Sequence, residues 1–89
     1  MSDTAQEITG IEFIRYVLEN LIEDKDQLEV DGRIDELGVL ITVKVSERDM
    51  GKLIGKGGQT VKALRTLLRI LGGNASQRVN LKIIEPGMA

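Results

Sequence analysis

The sequence predicts an α+β domain in which a three-stranded mixed sheet is covered on one face by helices. Residues 37–45 alternate apolar and polar side chains with the two-residue period of a strand that has one buried face. Segments on both sides of this strand carry apolar residues at helical spacing. The predicted elements follow the order α-β-β-α-α-β, and 89 residues are enough for one hydrophobic core.

The first predicted element is a helix over about residues 11–22. Its apolar stripe consists of Ile11, Ile14, Val17, Leu18, Leu21 and Ile22. Thr9 and Glu12 have the spacing of a capping box, which predicts that the helix begins at Thr9. Phe13 and Tyr16, the only two aromatic residues, are expected on the packing face of this helix or at its margin.

Two strands are predicted next. Residues 23–26 form a charged break that we expect to be a solvated connection. Residues 27–31 alternate as a short strand, and Asp31-Gly32 is a turn signal. A hairpin should then pair this strand with residues 37–45. The buried face of the second strand should consist of Leu37, Val39, Ile41, Val43 and Val45.

A two-helix unit and a third strand complete the predicted fold. The helices cover residues 46–54, with Ser46 as the N-cap, and residues 59–71, which a Gly72-Gly73 C-cap should end. The third strand covers residues 77–85. Because a helical crossover leads into this strand, it should lie parallel to its partner, with the helices on the apolar face of the sheet.

The stretch between the two helices, Ile54-Gly55-Lys56-Gly57-Gly58, is the strongest functional signal in the chain. Three glycines in four positions leave a backbone that no side chain shields. The following helix adds unsatisfied N–H groups and a positive dipole end, and Lys56 adds a full charge. These features together are suited to phosphate. A plain glycine-rich turn between two helices is the alternative interpretation.

The sequence of this stretch matches neither of two common nucleotide-binding loops. A P-loop needs four residues between its glycines and a preceding strand, but three residues separate Gly51 from Gly55 and the preceding segment is helical. A dinucleotide-binding loop needs a glycine where Thr60 stands. A Gly-X-X-Gly loop between two helices remains, and a loop of this kind clamps a nucleic-acid backbone.

Charge is divided unevenly along the chain, so that the net charge of −2 hides a basic region. Residues 1–47 contain 12 acidic and 4 basic side chains, whereas residues 48–84 contain 8 basic side chains and a single acid, Asp49. The basic half is the half that contains the glycine loop. A phosphate-tracking role is predicted for this half, with a merely solvated helix face as the alternative. The five bases expected to flank one groove are Lys52, Lys56, Lys62, Arg65 and Arg69.

Composition excludes several classes of function. The chain has no cysteine and no histidine, which removes disulfides, thiolate or imidazole metal sites and nucleophile–imidazole pairs, and no cofactor is expected. Glu47 and Asp49 lie near the loop, but Asp49 shares a capping box with Ser46 and no nucleophile joins them, so an enzyme is not expected. The acidic N-terminus lacks the apolar run of a signal peptide, and a cytoplasmic location is expected.

The loop and the helix after it resemble the KH family. The matching letters are Ile54-Gly55-Lys56-Gly57-Gly58 and Thr60-Val61-Lys62-Ala63-Leu64-Arg65-Thr66-Leu67. The α-β-β-α-α-β order is similar to the bacterial type II arrangement of that family, and a lone domain of this size resembles the small KhpA-type RNA-binding proteins. The resemblance implies a single KH domain over residues 1–89, with an ordered core at about residues 8–86.

The resemblance also implies a function, which is single-stranded RNA binding. The loop would hold the phosphates of about four nucleotides. The apolar floor under the bases would be Ile54, Val61 and Leu64, each of which fits the core as well, Leu64 above all. The full RNA-binding set would be Lys52, Ile54, Gly55, Lys56, Gly57, Gly58, Thr60, Val61, Lys62, Arg65 and Arg69.

Partners are implied as well. The family forms homodimers, or heterodimers with a larger KhpB-type protein that carries its own KH domain. A role as an RNA chaperone or post-transcriptional regulator comes with this resemblance. The alternative is a protein–protein adaptor that has a KH fold and does not bind RNA. The acidic N-terminal half suggests a face that meets solvent or a protein partner.

Overall fold

The computed structural model describes residues 10–74 and 77–84, which form three helices and three strands. The elements are α1 (Ile11–Leu21), β1 (Glu29–Asp35), β2 (Gly38–Lys44), α2 (Glu47–Ile54), α3 (Gln59–Asn74) and β3 (Val79–Ile84). Single 3-10 turns cover Lys25–Gln27 and Lys56–Gly58. The predicted α-β-β-α-α-β order is confirmed. The predicted positions Thr9, Ala75, Ser76 and Glu85 lie outside the described residues.

The sheet is mixed and its strands lie in the order β1-β2-β3. β1 pairs antiparallel with β2, in a register that places Asp35 opposite Gly38 at the turn. β2 pairs parallel with β3, beginning with Val39 opposite Val79. The predictions of a hairpin and of a parallel third strand are both confirmed, and the α2–α3 unit forms the crossover between the parallel strands.

The core lies between the helices and one face of the sheet. Its most deeply buried aliphatic side chains are Ile14, Leu18, Val39, Ile41, Val43, Leu53 and Leu68. Burial of each such side chain stabilises the fold by about 1.5–3 kcal/mol relative to exposure. Phe13 packs against this core at the margin of α1, as predicted, whereas Tyr16 is 68% exposed. Within the described ranges, no helix is long and apolar enough to cross a membrane.

The hairpin turn lies later in the chain than the sequence predicted. Asp31-Gly32 is inside β1, and the turn consists of Glu36 and Leu37. The side chain of Asp35 accepts the N–H of Leu37 at 2.8 Å, and Gly38 has a φ of 121°, a conformation that favours glycine. Leu37 is therefore 74% exposed in the turn, and its predicted place on the buried face was wrong.

Two predicted helix ends also differ from the structure. The N-cap of α1 is Gly10, with a φ of 90° and no side-chain hydrogen bond, so the predicted start at Thr9 was wrong. α3 continues through Gly72 and Gly73 instead of ending before them. Gly72 is buried, its carbonyl accepts the N–H of Gln77 at 2.7 Å, and a Cβ there would collide with the Gln77 carbonyl. Gly72 thus permits a close approach of two backbones.

Candidate nucleic-acid interface

The Gly-X-X-Gly loop connects α2 directly to α3. Gly55 ends α2 by turning out of the helix with a φ of 77°, while its N–H still donates to the carbonyl of Gly51 at 2.8 Å. Residues 56–58 then form one 3-10 turn in which Gly57 and Gly58 have φ values of 59° and 77°. The left-handed backbone at three of the four positions explains why glycine is needed there.

The outer side of this loop is open. A Cβ placed on Gly57 or Gly58 would meet nothing within 4 Å, and the side chain of Lys56 is exposed. Gly55 is the exception, because a Cβ there would lie 2.9 Å from the Cβ of Thr60. The first turn of α3 carries no acidic residue that would neutralise the positive end of the helix dipole. An anion can therefore approach the loop backbone without a steric or electrostatic barrier from these residues.

An open groove of about 330 Å³ lies beside the loop, between α3 and the free edge of β3. Its lining consists of Ile54, Val61, Arg65, Leu81, Lys82 and Ile83. The Nε and Nη2 atoms of Arg65 lie 3.4 and 3.5 Å from the carbonyl oxygen of Leu81, which holds the guanidinium against the β3 wall of the groove. These long contacts leave further N–H groups of the guanidinium for a ligand.

The structure places the eleven predicted site residues unequally. Ile54, Val61 and Arg65 line the groove, and the four loop residues follow Ile54 directly in the chain without belonging to its lining. Thr60 lies close to Gly55, so that a Cβ on Gly55 would collide with it. Lys62 and Arg69 are exposed on α3 and do not belong to the lining of this groove. Lys52 is engaged elsewhere, because its Nζ atom forms an ion pair with Oε2 of Glu23 at 2.6 Å.

The charged break after α1 is therefore not the purely solvated connection that was predicted. The two carboxylate oxygens of Asp49 accept the backbone N–H groups of Glu23 at 2.9 Å and of Asp24 at 2.8 Å. The hydroxyl of Ser46 accepts the N–H of Asp49 at 3.2 Å, which confirms Ser46 as the N-cap of α2. The carboxylate of Asp49 was predicted to complete a local capping box. It does accept a local hydrogen bond from the Ser46 hydroxyl at 3.2 Å, and in addition it binds a segment 25 and 26 residues earlier.

This environment keeps Asp49 charged. Burial by itself would raise the pKa of Asp49, but the N–H groups of Glu23 and Asp24, the Ser46 hydroxyl and the charge of Lys52 together outweigh burial and lower the pKa. The hydrogen bond and charge of Lys52, with the charge of Arg48, likewise lower the pKa of Glu23. Glu23 and Asp49 are thus anions with structural partners.

Sequence reasoning missed the wall that β3 contributes to the groove, which is Leu81, Lys82 and Ile83. A signal for it existed. The hairpin places β1 on one side of β2, so a strand parallel to β2 takes the other side and presents its free edge to the crossover helices. Leu64, considered for the apolar floor, is only 5% exposed and belongs to the core.

Two helices joined by a Gly-X-X-Gly loop, beside the edge strand of an α-β-β-α-α-β fold, define a KH domain in the type II arrangement. The family described as "KhpA/KhpB, KH domain" matches residues 11–83. The chain belongs to this family.

Several relatives carry the name RNA-binding protein KhpA. The one from Borreliella burgdorferi is 31% identical over 75 residues, which cover 84% of this chain and 92% of that protein. The relatives from Chlamydia pneumoniae and Aquifex aeolicus are each 34% identical over 74 residues, which cover 83% of this chain and 95% and 94% of those proteins. No solved structure matches the chain.

Proposed function

We propose that this chain binds single-stranded RNA in the groove beside its Gly-X-X-Gly loop. The observation that carries the proposal is the loop, whose backbone is open at Gly57 and Gly58 in a chain of a KH family. The name of the relatives, RNA-binding protein, supports RNA as the ligand. A Gly-X-X-Gly loop that clamps about four backbone nucleotides is the known mode of recognition for such domains.

The two sides of the groove would perform different tasks. The N–H groups of the loop and the charge of Lys56 hold phosphates, which gives a grip independent of sequence. The bases lie against Ile54, Val61 and Ile83, where shape and base-edge contacts give a modest preference. Arg65 would contact the RNA at the β3 wall of the groove. Thr60, which lies close to Gly55, would limit movement of the loop.

The remaining predicted bases would extend the contact beyond the groove. Lys62 and Arg69 are exposed on α3 and would meet phosphates that leave the loop along this helix. Lys52 would join them only when it is released from Glu23. Their role is an electrostatic one, and it should weaken as the salt concentration rises.

We propose that the biological role is that of an RNA chaperone or post-transcriptional regulator in the cytoplasm, which acts by binding and needs neither catalysis nor a cofactor. A single KH domain is proposed for residues 1–89, with an ordered core at about residues 8–86. Limited proteolysis followed by mass spectrometry tests this extent. Cleavage confined to positions before 8 and after 86 is the expected result.

A second surface is proposed for a protein partner. Leu67 and Ile70 are 45% and 56% exposed and lie one turn apart on the side of α3 away from the core. We propose that a second copy of this chain, or a KhpB-type protein, covers them. The family description, KhpA/KhpB, supports a partner of this kind. Two joined KH domains would also raise a weak affinity for RNA through effective concentration.

The RNA proposal is tested by fluorescence anisotropy with a short single-stranded RNA of mixed sequence. The variant Lys56→Asp with Gly57→Asp places carboxylates where phosphates should lie, and aspartate tolerates the left-handed conformation at position 57. We expect this variant to lose binding. The control Arg33→Asp with Leu37→Asp changes the charge by the same amount at exposed hairpin positions and should bind like the wild type. Circular dichroism checks that all three are folded.

The outcomes separate the alternatives. Equal binding by wild type and loop variant would remove the loop from the site and leave the basic side chains of α3. Failure of the wild type to bind even at low salt would favour the adaptor without RNA.

The partner surface is tested by sedimentation of purified protein over a concentration series. Ile70→Asp should shift a dimer to monomer, or abolish binding to a KhpB-type protein, because a charge would be buried in the contact. Tyr16→Asp introduces the same charge on the exposed side of α1 and should leave assembly unchanged. The reverse result would move the contact to α1.

A further inference from the structure

A row of basic residues leads along α2 to the loop. Arg48 and Lys52 are four residues apart and share one face of α2, and Lys56 follows four residues later at the start of the loop. An RNA strand held at the loop could continue along this row and gain two further phosphate contacts. Two of its three members, however, are paired with acids of this same chain.

The acids come from the segment after α1. Glu23 contacts Nζ of Lys52 at 2.6 Å and Nη2 of Arg48 at 3.4 Å. Asp24 contacts Nη2 of Arg48 at 2.9 Å. The carboxylate oxygens thus occupy one hydrogen-bonding atom on each of these two side chains, and their charge offsets the positive charge that would attract phosphate.

The position of these carboxylates is fixed from the core side. The buried carboxylate of Asp49 binds the backbone N–H groups of Glu23 and Asp24, so both residues are held against α2 independently of their own side chains. Asp24 also accepts a hydrogen bond from the hydroxyl of Ser46 at 2.7 Å. The ordered backbone therefore places both carboxylates beside α2, which favours their ion pairs with Arg48 and Lys52.

We propose that Glu23, assisted by Asp24, is an internal competitor of RNA phosphate for Lys52 and Arg48. This inference rests on the proposed RNA-binding function and concerns the extent of its phosphate contact. The acids confine tight phosphate contact to the loop and the groove, and they lower the affinity for any polyanion. The acidic half of the chain thereby limits binding by the basic half.

The competition is a moderate one. The side chains of Glu23, Lys52 and Arg48 are 54%, 44% and 65% exposed, so water and salt screen the ion pairs and a phosphate can displace the carboxylate. Removing the carboxylate should therefore strengthen RNA binding by about two- to fivefold at low salt, the range expected for an exposed ion pair.

The experiment measures RNA affinity by anisotropy over a series of salt concentrations for the wild type, Glu23→Gln and the control Glu36→Gln. Glu36 lies in the exposed hairpin turn, so its variant has the same change in net charge without a contact to α2. Lys52→Met is added to the wild type and to Glu23→Gln, which completes a double-mutant cycle. Circular dichroism checks the fold of each variant.

We expect Glu23→Gln to bind more tightly and its slope of log affinity against log salt to become steeper by about 0.7, the value for one more neutralised phosphate on a single strand. Lys52→Met should remove that gain, while in the wild-type background it should change the affinity by less than about twofold. Binding by the wild type with no gain in Glu23→Gln would overturn the inference alone, as would an equal gain in Glu36→Gln. If neither the wild type nor Glu23→Gln bound RNA, the proposed function itself would be overturned.

Discussion

The carboxylate of Asp49, at the start of α2, accepts the backbone N–H of Glu23 at 2.9 Å, although 26 residues separate the two in the sequence. This bond connects the end of α1 to the helix that leads into the glycine loop. Asp49 is fully buried, and loss of its charge would leave backbone donors without a matched acceptor. The anchor therefore contributes to the fold and to the position of the acids beside α2.

Replacing Asp49 with asparagine should lower the stability of the fold. One oxygen of the carboxylate becomes an NH2 group, which faces an N–H donor instead of accepting from it. We expect the melting temperature to fall by about 5–10 °C, measured by circular dichroism at pH 7. Asp26→Asn has the same change in charge at an exposed position and should leave the melting temperature unchanged.

The same comparison has a defined pH dependence. The pKa of Asp49 is lowered on folding from an ordinary value of 3.8. Its contribution is therefore fully present above that value and is lost as the pH falls through the folded-state pKa. The difference in melting temperature between wild type and Asp49→Asn should be constant from pH 7 to about pH 5 and shrink below pH 4. A difference that persists undiminished to about pH 2 would contradict this role.

Two adjacent glycines of α3 should respond to alanine in opposite directions. Gly72→Ala places a Cβ against the carbonyl of Gln77 and 2.9 Å from Cγ2 of Val79, and it should destabilise by about 2 kcal/mol or more. Gly73→Ala meets nothing within 4 Å and should stabilise by about 0.5–1 kcal/mol through helix propensity. Urea unfolding measures both free energies, and changes of equal sign would be inconsistent with the close approach at Gly72.

The loop glycines offer a second matched comparison. Gly55→Ala combines a strained positive φ with a collision against Thr60, whereas Gly58→Ala has a φ of 77° in open space. We expect the free energy of unfolding to fall by about 1 kcal/mol for Gly58→Ala and by at least about 2 kcal/mol for Gly55→Ala. Chemical denaturation of both variants and the wild type measures these two losses of stability. Equal losses would mean that Thr60 moves aside without cost.

Arg65 should matter more for RNA than the other exposed bases of α3. It lines the groove against the β3 wall, whereas Arg69 lies one turn further along the helix, outside the lining. Arg65→Met should weaken binding about three- to tenfold and reduce the salt slope by about 0.7, while Arg69→Met should weaken it less than about twofold. Anisotropy titrations at two salt concentrations measure both effects. An equal loss in the two variants would support a uniform basic stripe.

The order of the elements was predicted correctly, but the position of the hairpin turn was not. Asp31-Gly32 was chosen as the turn, and Gly38 at the actual turn was assigned to the second strand. A deciding signal was present in Val30 and Ile34, whose spacing of four continues the alternation of β1 through Gly32. The Asp35 side chain, which accepts the N–H of Leu37, fixes the later turn.

In the candidate site, too, the part formed by adjacent residues was predicted and the part formed by tertiary contacts was not. The Gly-X-X-Gly loop is contiguous, so its sequence alone predicts both its conformation and a role in binding phosphate. Lys82 enters the groove, and Glu23 reaches Lys52, only through tertiary contacts across many residues. Lys52 was grouped with the bases of α3 because it also flanks the loop, and that grouping carries no information about an acid 29 residues earlier.

The wall of the groove on β3 has a consequence for the order of folding. Ile54 and Val61 lie within the crossover, whereas Leu81 and Ile83 lie on the strand that closes it, so the proposed RNA groove is incomplete until β3 has paired with β2. That pairing joins positions 40 residues apart, such as Val39 and Val79, and such distant contacts form late because the intervening chain must first lose its entropy. A chain still emerging from the ribosome can therefore form its hairpin and its first helix before the proposed RNA groove is complete.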